Sequence, residues 1–145
     1  MITFFVISGI PGSGKTTLAY KLAEQNNAAL HSYDALPGAN TKSSMDGSVK
    51  RIWLQAIHDD LQSGKSVVCD KLNLTVKDRK EILSVIEDIQ CEKILYVTEV
   101  PLDVCLQRNR ERQARLPDFV IEQAAQKFEA PTIDEGWDDI IISKM

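Results

Sequence analysis

Short runs dominated by apolar residues alternate along this chain with longer stretches in which apolar residues recur every three to four positions. The short runs are 2–7, 28–32, 66–70, 93–97 and 139–143, and their length and β-branched content predict strands buried on both faces. The striped stretches predict helices. One covers about 15–25, with Leu18 and Leu22 on one face, and Asn26-Asn27 breaks it. A second covers 47–62, with a stripe of Val49, Ile52, Trp53, Ala56, Ile57 and Leu61. A third covers 76–89, with Ile82, Val85, Ile86 and Ile89 as core, and two more cover 102–112 and 118–128. Residues 36–44 are rich in Pro, Gly, Asn and Ser and predict a mobile loop.

This alternation predicts an α/β fold with a parallel five-stranded sheet and helices on both faces. Right-handed crossovers place the C-terminal ends of the strands on one edge. Gly9, Asp34 and Asp70 each follow a predicted strand end, so any chemistry is expected on that edge.

The first strand runs into Gly9-Ile10-Pro11-Gly12-Ser13-Gly14-Lys15-Thr16, which fits the phosphate-binding pattern G-x-x-x-x-G-K-[ST]. Glycines let successive backbone N–H groups point into one concavity, and the next helix adds its N-terminal dipole. This reading makes Gly12, Ser13, Gly14, Lys15, Thr16 and Thr17 nucleotide-binding residues. Lys15 can reach the β- and γ-phosphates of ATP or another nucleoside triphosphate, since the loop reads phosphates and not the base, and the Thr16 hydroxyl can ligate Mg²⁺. A glycine-rich turn that merely contains a lysine would not need the strand before it and the helix after it.

Composition narrows the class without naming the acceptor. With 43% hydrophobic and 26% charged residues, the 145 residues read as one globular domain, 1–145. No apolar run approaches the roughly 20 residues of a membrane span, and the chain opens on a core strand rather than a targeting segment. Cys69, Cys91 and Cys105 are scattered and read as buried free thiols, which suits a cytoplasmic chain. A net charge of −4 excludes a polyanion binder by bulk charge, so a nucleic-acid substrate needs a local basic patch.

Asp34 is placed to accept the proton of an attacking hydroxyl, or alternatively closes the strand as a turn residue. Asp70 ends an apolar strand and could hold Mg²⁺ or fix the acceptor, or else serve as a loop or capping aspartate. Arg108, Arg110, Arg112 and Arg115 crowd one segment. Arg108, Arg112 and Arg115 share a helical face if the helix extends that far, which would make a lid over the triphosphate. The alternative is a solvated basic helix end. Lys42, Lys50 and Arg51 are basic residues near the loop, best read as solvated. His31 and His58 read as a strand-edge and a helix-face histidine, Trp53 as core, and Tyr33 as a possible base-stacking surface.

Together these residues resemble the 5′-kinase module of the polynucleotide kinase family, phage type and animal repair type, within the wider P-loop kinase group. The resemblance is carried by GIPGSGKTT at 9–17, Asp34, Asp70-Lys71-Leu72-Asn73-Leu74 with Arg79 downstream, and the arginine segment. It is also carried by Lys127-Phe128-Glu129-Ala130-Pro131-Thr132-Ile133-Asp134-Glu135-Gly136-Trp137, similar to the F-x-x-P-T-x-x-E-G-[FW] close of these kinases. It implies a P-loop kinase fold with strand order 2-3-1-4-5 and an arginine-bearing lid at about 108–120, with no room for an appended domain. It implies ATP and Mg²⁺ and a DNA or RNA 5′-hydroxyl as acceptor, while small size and a compact anionic surface suggest a monomer and the lack of an apolar span suggests no membrane partner. Lys15, Asp34 and Arg112 would be catalytic, with Arg108 near the adenine. Thr16 and Asp70 would hold the metal, and Asp34, Asp70, Asn73 and Arg79 would form the acceptor site.

At one position the chain departs from the family. Phage-type enzymes carry an acceptor-gripping arginine three residues after the catalytic aspartate, and here that residue is Pro37. Lys42, Lys50 or Arg51 would have to replace it. Alternatively the acceptor is another hydroxyl, such as a hydroxymethylpyrimidine in DNA or a small alcohol. A nucleotide-binding switch with little turnover is the remaining class, and it has no need of Asp34 or an arginine lid.

Overall fold

The structure is a computed structural model and describes residues 1–39, 47–113 and 115–144. Part of the expected mobile loop, including Lys42, lies outside the described residues, as does Ala114 in the arginine segment.

Five strands form one sheet: β1 (Thr3–Ser8), β2 (Ala29–Ser32), β3 (Val67–Asp70), β4 (Glu92–Thr98) and β5 (Asp139–Ser143). All neighbours pair in parallel, in the order β2-β3-β1-β4-β5 expected of a P-loop kinase fold. The central β1 is buried along both faces, which is why its sequence reads as a run rather than an alternation. Phe4 and Val6 face one core with Val67, Cys69 and Leu95, closed by Trp53, Ile57, Leu61, Ile82 and Ile86. Phe5 and Ile7 face a second, smaller core with Val68, covered by Leu18, Ala19 and Leu22.

The covering helices are α1 (Lys15–Asn26), α2 (Ser48–Gln62), α3 (Val76–Val85), α4 (Leu102–Arg110) and α5 (Asp118–Lys127). Asn27, at φ 49°, ends α1 in the left-handed conformation that asparagine tolerates. In α2 the buried stripe is Val49, Trp53, Ile57 and Leu61, spaced by four, and Ile52, expected in it, is solvent-exposed. The third helix stops at Val85. Its last turn tightens into i→i−3 bonds, Ile86 N–H to Leu83 O and Ile89 N–H to Ile86 O, while Ile86 stays fully buried. All three cysteines are buried free thiols, as their scatter suggested.

Candidate active site

The loop after β1 is pinned on two sides. Towards β3, Gly9 N–H donates to Leu72 O at 3.0 Å, Ser8 Oγ to Asn73 O at 2.8 Å, and Asn73 Nδ2 to Ile7 O at 2.8 Å. Towards β4, the Ser13 and Thr98 hydroxyls share a hydrogen bond of 2.6 Å, and a side chain at Gly9 would collide with Thr98 Oγ1. Gly12, at φ 85°, lies under α4: a Cβ there would sit 2.6 Å from Cys105 O. The loop leads into α1, whose N-cap Gly14 is left-handed, and no side chain caps the helix or puts a carboxylate in its first turn. Its leading N–H groups are therefore free of protein side-chain acceptors, the arrangement an anion site needs. Thr16 and Thr17 are exposed at this opening, and Lys15 is half-buried.

Asp70 ends β3 next to this loop and is 7% exposed. Ser32 Oγ donates to its Oδ2 at 3.3 Å, and its buried Oδ1 has no partner among the described residues. Burial raises the Asp70 pKa, nearby Lys15 and the Ser32 bond pull it back, and Asp34 pushes it up again. Lys15 and Asp34 thus both act on the Asp70 charge. The orphaned Asp70 oxygen and the exposed Thr16 hydroxyl form an oxygen donor set that fits Mg²⁺. No cluster of three His, Cys, Asp or Glu exists among the described residues. A cation that takes one or two carboxylates and relies on substrate phosphates needs none.

Asp34 sits in a 3-10 turn, Tyr33–Ala35, directly after β2. It is exposed and lines a cleft of about 370 Å³ with Tyr33, the segment 71–75, Asp78, and Val120, Gln123, Ala124 and Lys127 of α5. Asn73 lines the same cleft at φ 49°, with its buried Oδ1 unpartnered among the described residues.

Arg79, expected as a substrate-binding part of the acceptor site, does not reach the cleft surface. It is fully buried, and all five of its N–H donors are engaged. They meet Glu135 Oε1 and Oε2 at 2.9 and 3.2 Å, and the carbonyls of Asn73, Leu74 and Glu129 at 2.9–3.1 Å. Burial alone would raise the Glu135 pKa, but bonds from Arg79, Trp137 and the Thr132 backbone together hold it below the usual carboxylate value. The Phe-to-Trp close noted in the sequence is therefore architectural: Thr132 and Glu135 form a capping box, and Trp137 is buried with its Nε1 on Glu135. Arg79 braces the floor of the cleft from behind.

The arginine segment also differs from expectation. α4 ends at Arg110, so Arg108, Arg112 and Arg115 share no helical face. The buried Asn109 ends it by pairing with Leu116 in both directions, Nδ2 to O at 2.7 Å and N–H to Oδ1 at 3.0 Å. Arg108 donates to Gly12 O at 3.2 Å, against the phosphate loop. Arg110 pairs with Asp118 at 2.8 Å, and Arg112 and Arg115 are exposed. Of the loop-side cations, Lys50 is paired with Glu81 at 2.9 Å, and Arg51 is exposed.

The AAA domain family matches residues 4–131. The chain belongs to that family. The L-seryl-tRNA(Sec) kinase of Methanococcus maripaludis is 24% identical over 140 residues, covering 92% of this chain and 55% of that protein. The bifunctional polynucleotide phosphatase/kinase of Schizosaccharomyces pombe is 26% identical over 140 residues, covering 93% of this chain and 32% of that protein. The chain thus spans about half the length, or less, of these curated relatives. Among solved structures, a sugar kinase from Janibacter superposes with a TM-score of 0.75 at 19% identity, covering 99% of this chain and 86% of that one. The two curated relatives match at nearly equal identity, so the polynucleotide kinase resemblance stands inside a wider kinase-like group that is not narrowed to that branch.

Within this AAA domain, sequence reasoning missed the far wall of the cleft. Val120, Gln123, Ala124 and Lys127 recur at i, i+3, i+4 and i+7, a spacing legible in the sequence but read there only as a helix. It also passed over Lys71. That ammonium lies 4.5 Å from the Tyr33 ring centroid and 5.6 Å from that of Trp53, and burial, then Lys50, lowers its pKa. Tyr33 meets Trp53 edge-on, with ring centroids 5.6 Å apart. His31 and His58 lie away from the cleft and pair with Asp60 at 2.6 Å and Asp88 at 3.0 Å. No helix among the described residues is long and apolar enough to cross a membrane.

Proposed function

We propose that this AAA domain is an ATP-dependent kinase that transfers the γ-phosphoryl group to the 5′-hydroxyl end of DNA or RNA. The observation that carries the reading is the meeting, on one sheet edge, of an uncapped phosphate loop, a buried Asp70 with an orphaned oxygen, and Asp34 in an adjoining cleft. A binder that only holds nucleotide needs the first of these and not the cleft with its carboxylate.

The loop N–H groups, Lys15, Thr16 and Thr17 hold the triphosphate, and Arg108 steadies the loop from above. The exposed Arg112 is free to reach the phosphates when substrate is bound. Mg²⁺, held by Thr16 and Asp70, would neutralise charge on the β- and γ-oxygens. The acceptor hydroxyl lies in the cleft, where Asp34 takes its proton as its oxygen attacks the γ-phosphorus; the bond to the β–γ bridging oxygen breaks and ADP leaves. The S. pombe relative, named as a polynucleotide phosphatase/kinase, supports a nucleic-acid acceptor. Pro37 in place of an arginine and the fold shared with a sugar kinase favour a second reading, the same chemistry on a small hydroxyl compound.

The test is transfer from γ-labelled ATP to a 5′-hydroxyl oligonucleotide and to its 5′-phosphorylated twin, as DNA and as RNA. Label on the 5′-hydroxyl strand alone is expected. Asp34→Ala should lower that turnover by about 10²–10⁴-fold and leave ATP binding intact. Absence of label on either strand, with ATP still bound, would overturn the nucleic-acid reading.

A further inference from the structure

Pro37 removes the cation that would meet the acceptor's phosphate, and Lys50 is taken by Glu81. A cation with no carboxylate within ion-pair distance among the described residues nevertheless reaches the acceptor cleft. Lys71 follows Asp70, lines the cleft with Asp34, and has no salt bridge among the described residues. Arg79 and Arg110 each hold a carboxylate, and the Asp78 carboxylate that shares the cleft forms no ion pair with Lys71. The Lys71 ammonium rests instead on the ring faces of Tyr33 and Trp53. Aromatic faces offset only part of what an ammonium loses on leaving water. An anion in the cleft would supply the rest through charge-assisted hydrogen bonds. Lys127, with Gln123, stands on the α5 wall of the same cleft and adds donors there.

We propose that Lys71 is the acceptor-gripping cation of this chain, binding an anionic group beside the hydroxyl to be phosphorylated, namely the first phosphodiester of a 5′-hydroxyl strand. The assignment rests on the kinase reading above and gives it a specificity: the acceptor is charged, and a neutral sugar is a poor substrate. The same chemistry would accept the carboxylate of a sugar acid, so the test separates the two sources.

Wild-type protein and Lys71→Met are assayed with four acceptors. These are a 5′-hydroxyl oligonucleotide, the same strand with an uncharged methylphosphonate at its first linkage, gluconate and glucose. Methionine keeps an apolar stem over the rings. For the unmodified strand, Lys71→Met should raise the acceptor KM on the order of tenfold to hundredfold while the ATP KM holds. The wild type should disfavour the methylphosphonate strand by a similar factor, and the variant should not discriminate. Equal discrimination by both proteins overturns the assignment of Lys71, even if the oligonucleotide proves to be the substrate. Transfer to gluconate and not to the oligonucleotide overturns the nucleic-acid reading, while a raised gluconate KM in Lys71→Met upholds the anion grip. Transfer to glucose that is indifferent to Lys71→Met, or transfer to none of the four, overturns both.

Discussion

Asp70 shows at the level of a single residue what burying a candidate site carboxylate costs. Its carboxyl is raised above the ordinary aspartate pKa, chiefly by burial, so folding disfavours the ionised form. The penalty is present above the folded-state pKa and is relieved as pH falls through it towards the unfolded value. Asp70→Asn keeps the shape and the Ser32 bond and removes the penalty. It should raise unfolding free energy at pH 7 by about 0.5–2 kcal/mol while cutting phosphate transfer by about 10–100-fold. Urea titrations at pH 7 and in mild acid check the sign, since the stability gap between variant and wild type should narrow in acid.

Among the elements, the closing segment and α3 form one unit through Arg79. Arg79→Met would leave Glu135, itself nearly inaccessible, buried without its partner. The expected loss is about 3–5 kcal/mol by urea unfolding, and the double change Arg79→Met, Glu135→Gln should recover part of it. A cost near zero would mean that Arg79 is not the brace. This pair also shows where legibility stops. The five strands and the phosphate loop could be read from the chain because each rests on local periodicity or contiguous motif residues, and the strand order followed only from the family resemblance. Glu135 and Arg79 lie 56 positions apart, and no pattern at either marks the other. The most family-specific stretch was read as part of a kinase signature, and its visible work is to hold Asn73 and Leu74 in place. The end of α4 was hidden for a related reason, since Asn109 satisfies the Leu116 backbone with a side chain, which helical spacing does not encode. Ile52 was misjudged because a stripe has width, and the buried positions of α2 are those spaced by four, Val49, Trp53, Ile57 and Leu61.

Across the whole molecule, a pair remote from the cleft makes its own contribution to how stability follows pH. His58 of α2 meets Asp88, just beyond α3, and that hydrogen bond, against the opposing effect of burial, raises the histidine pKa above 6.5. The contribution is therefore fully present below the unfolded-state pKa and is lost as pH rises through the folded one. Melting temperature should decline from about pH 6.5 upward in the wild type, and His58→Gln should flatten that decline without moving ATP affinity. A decline unchanged in the variant would place the titration elsewhere. The strand order has a consequence of another kind. β1 is made before either strand it pairs with, since its neighbours are β3 and β4, with Ser8 beside Val97. The Thr98 hydroxyl that holds Ser13 arrives later still. The phosphate loop thus takes its final shape only after β4 has emerged, some 85 residues behind it, and until then a nascent chain has no preformed cradle for nucleotide.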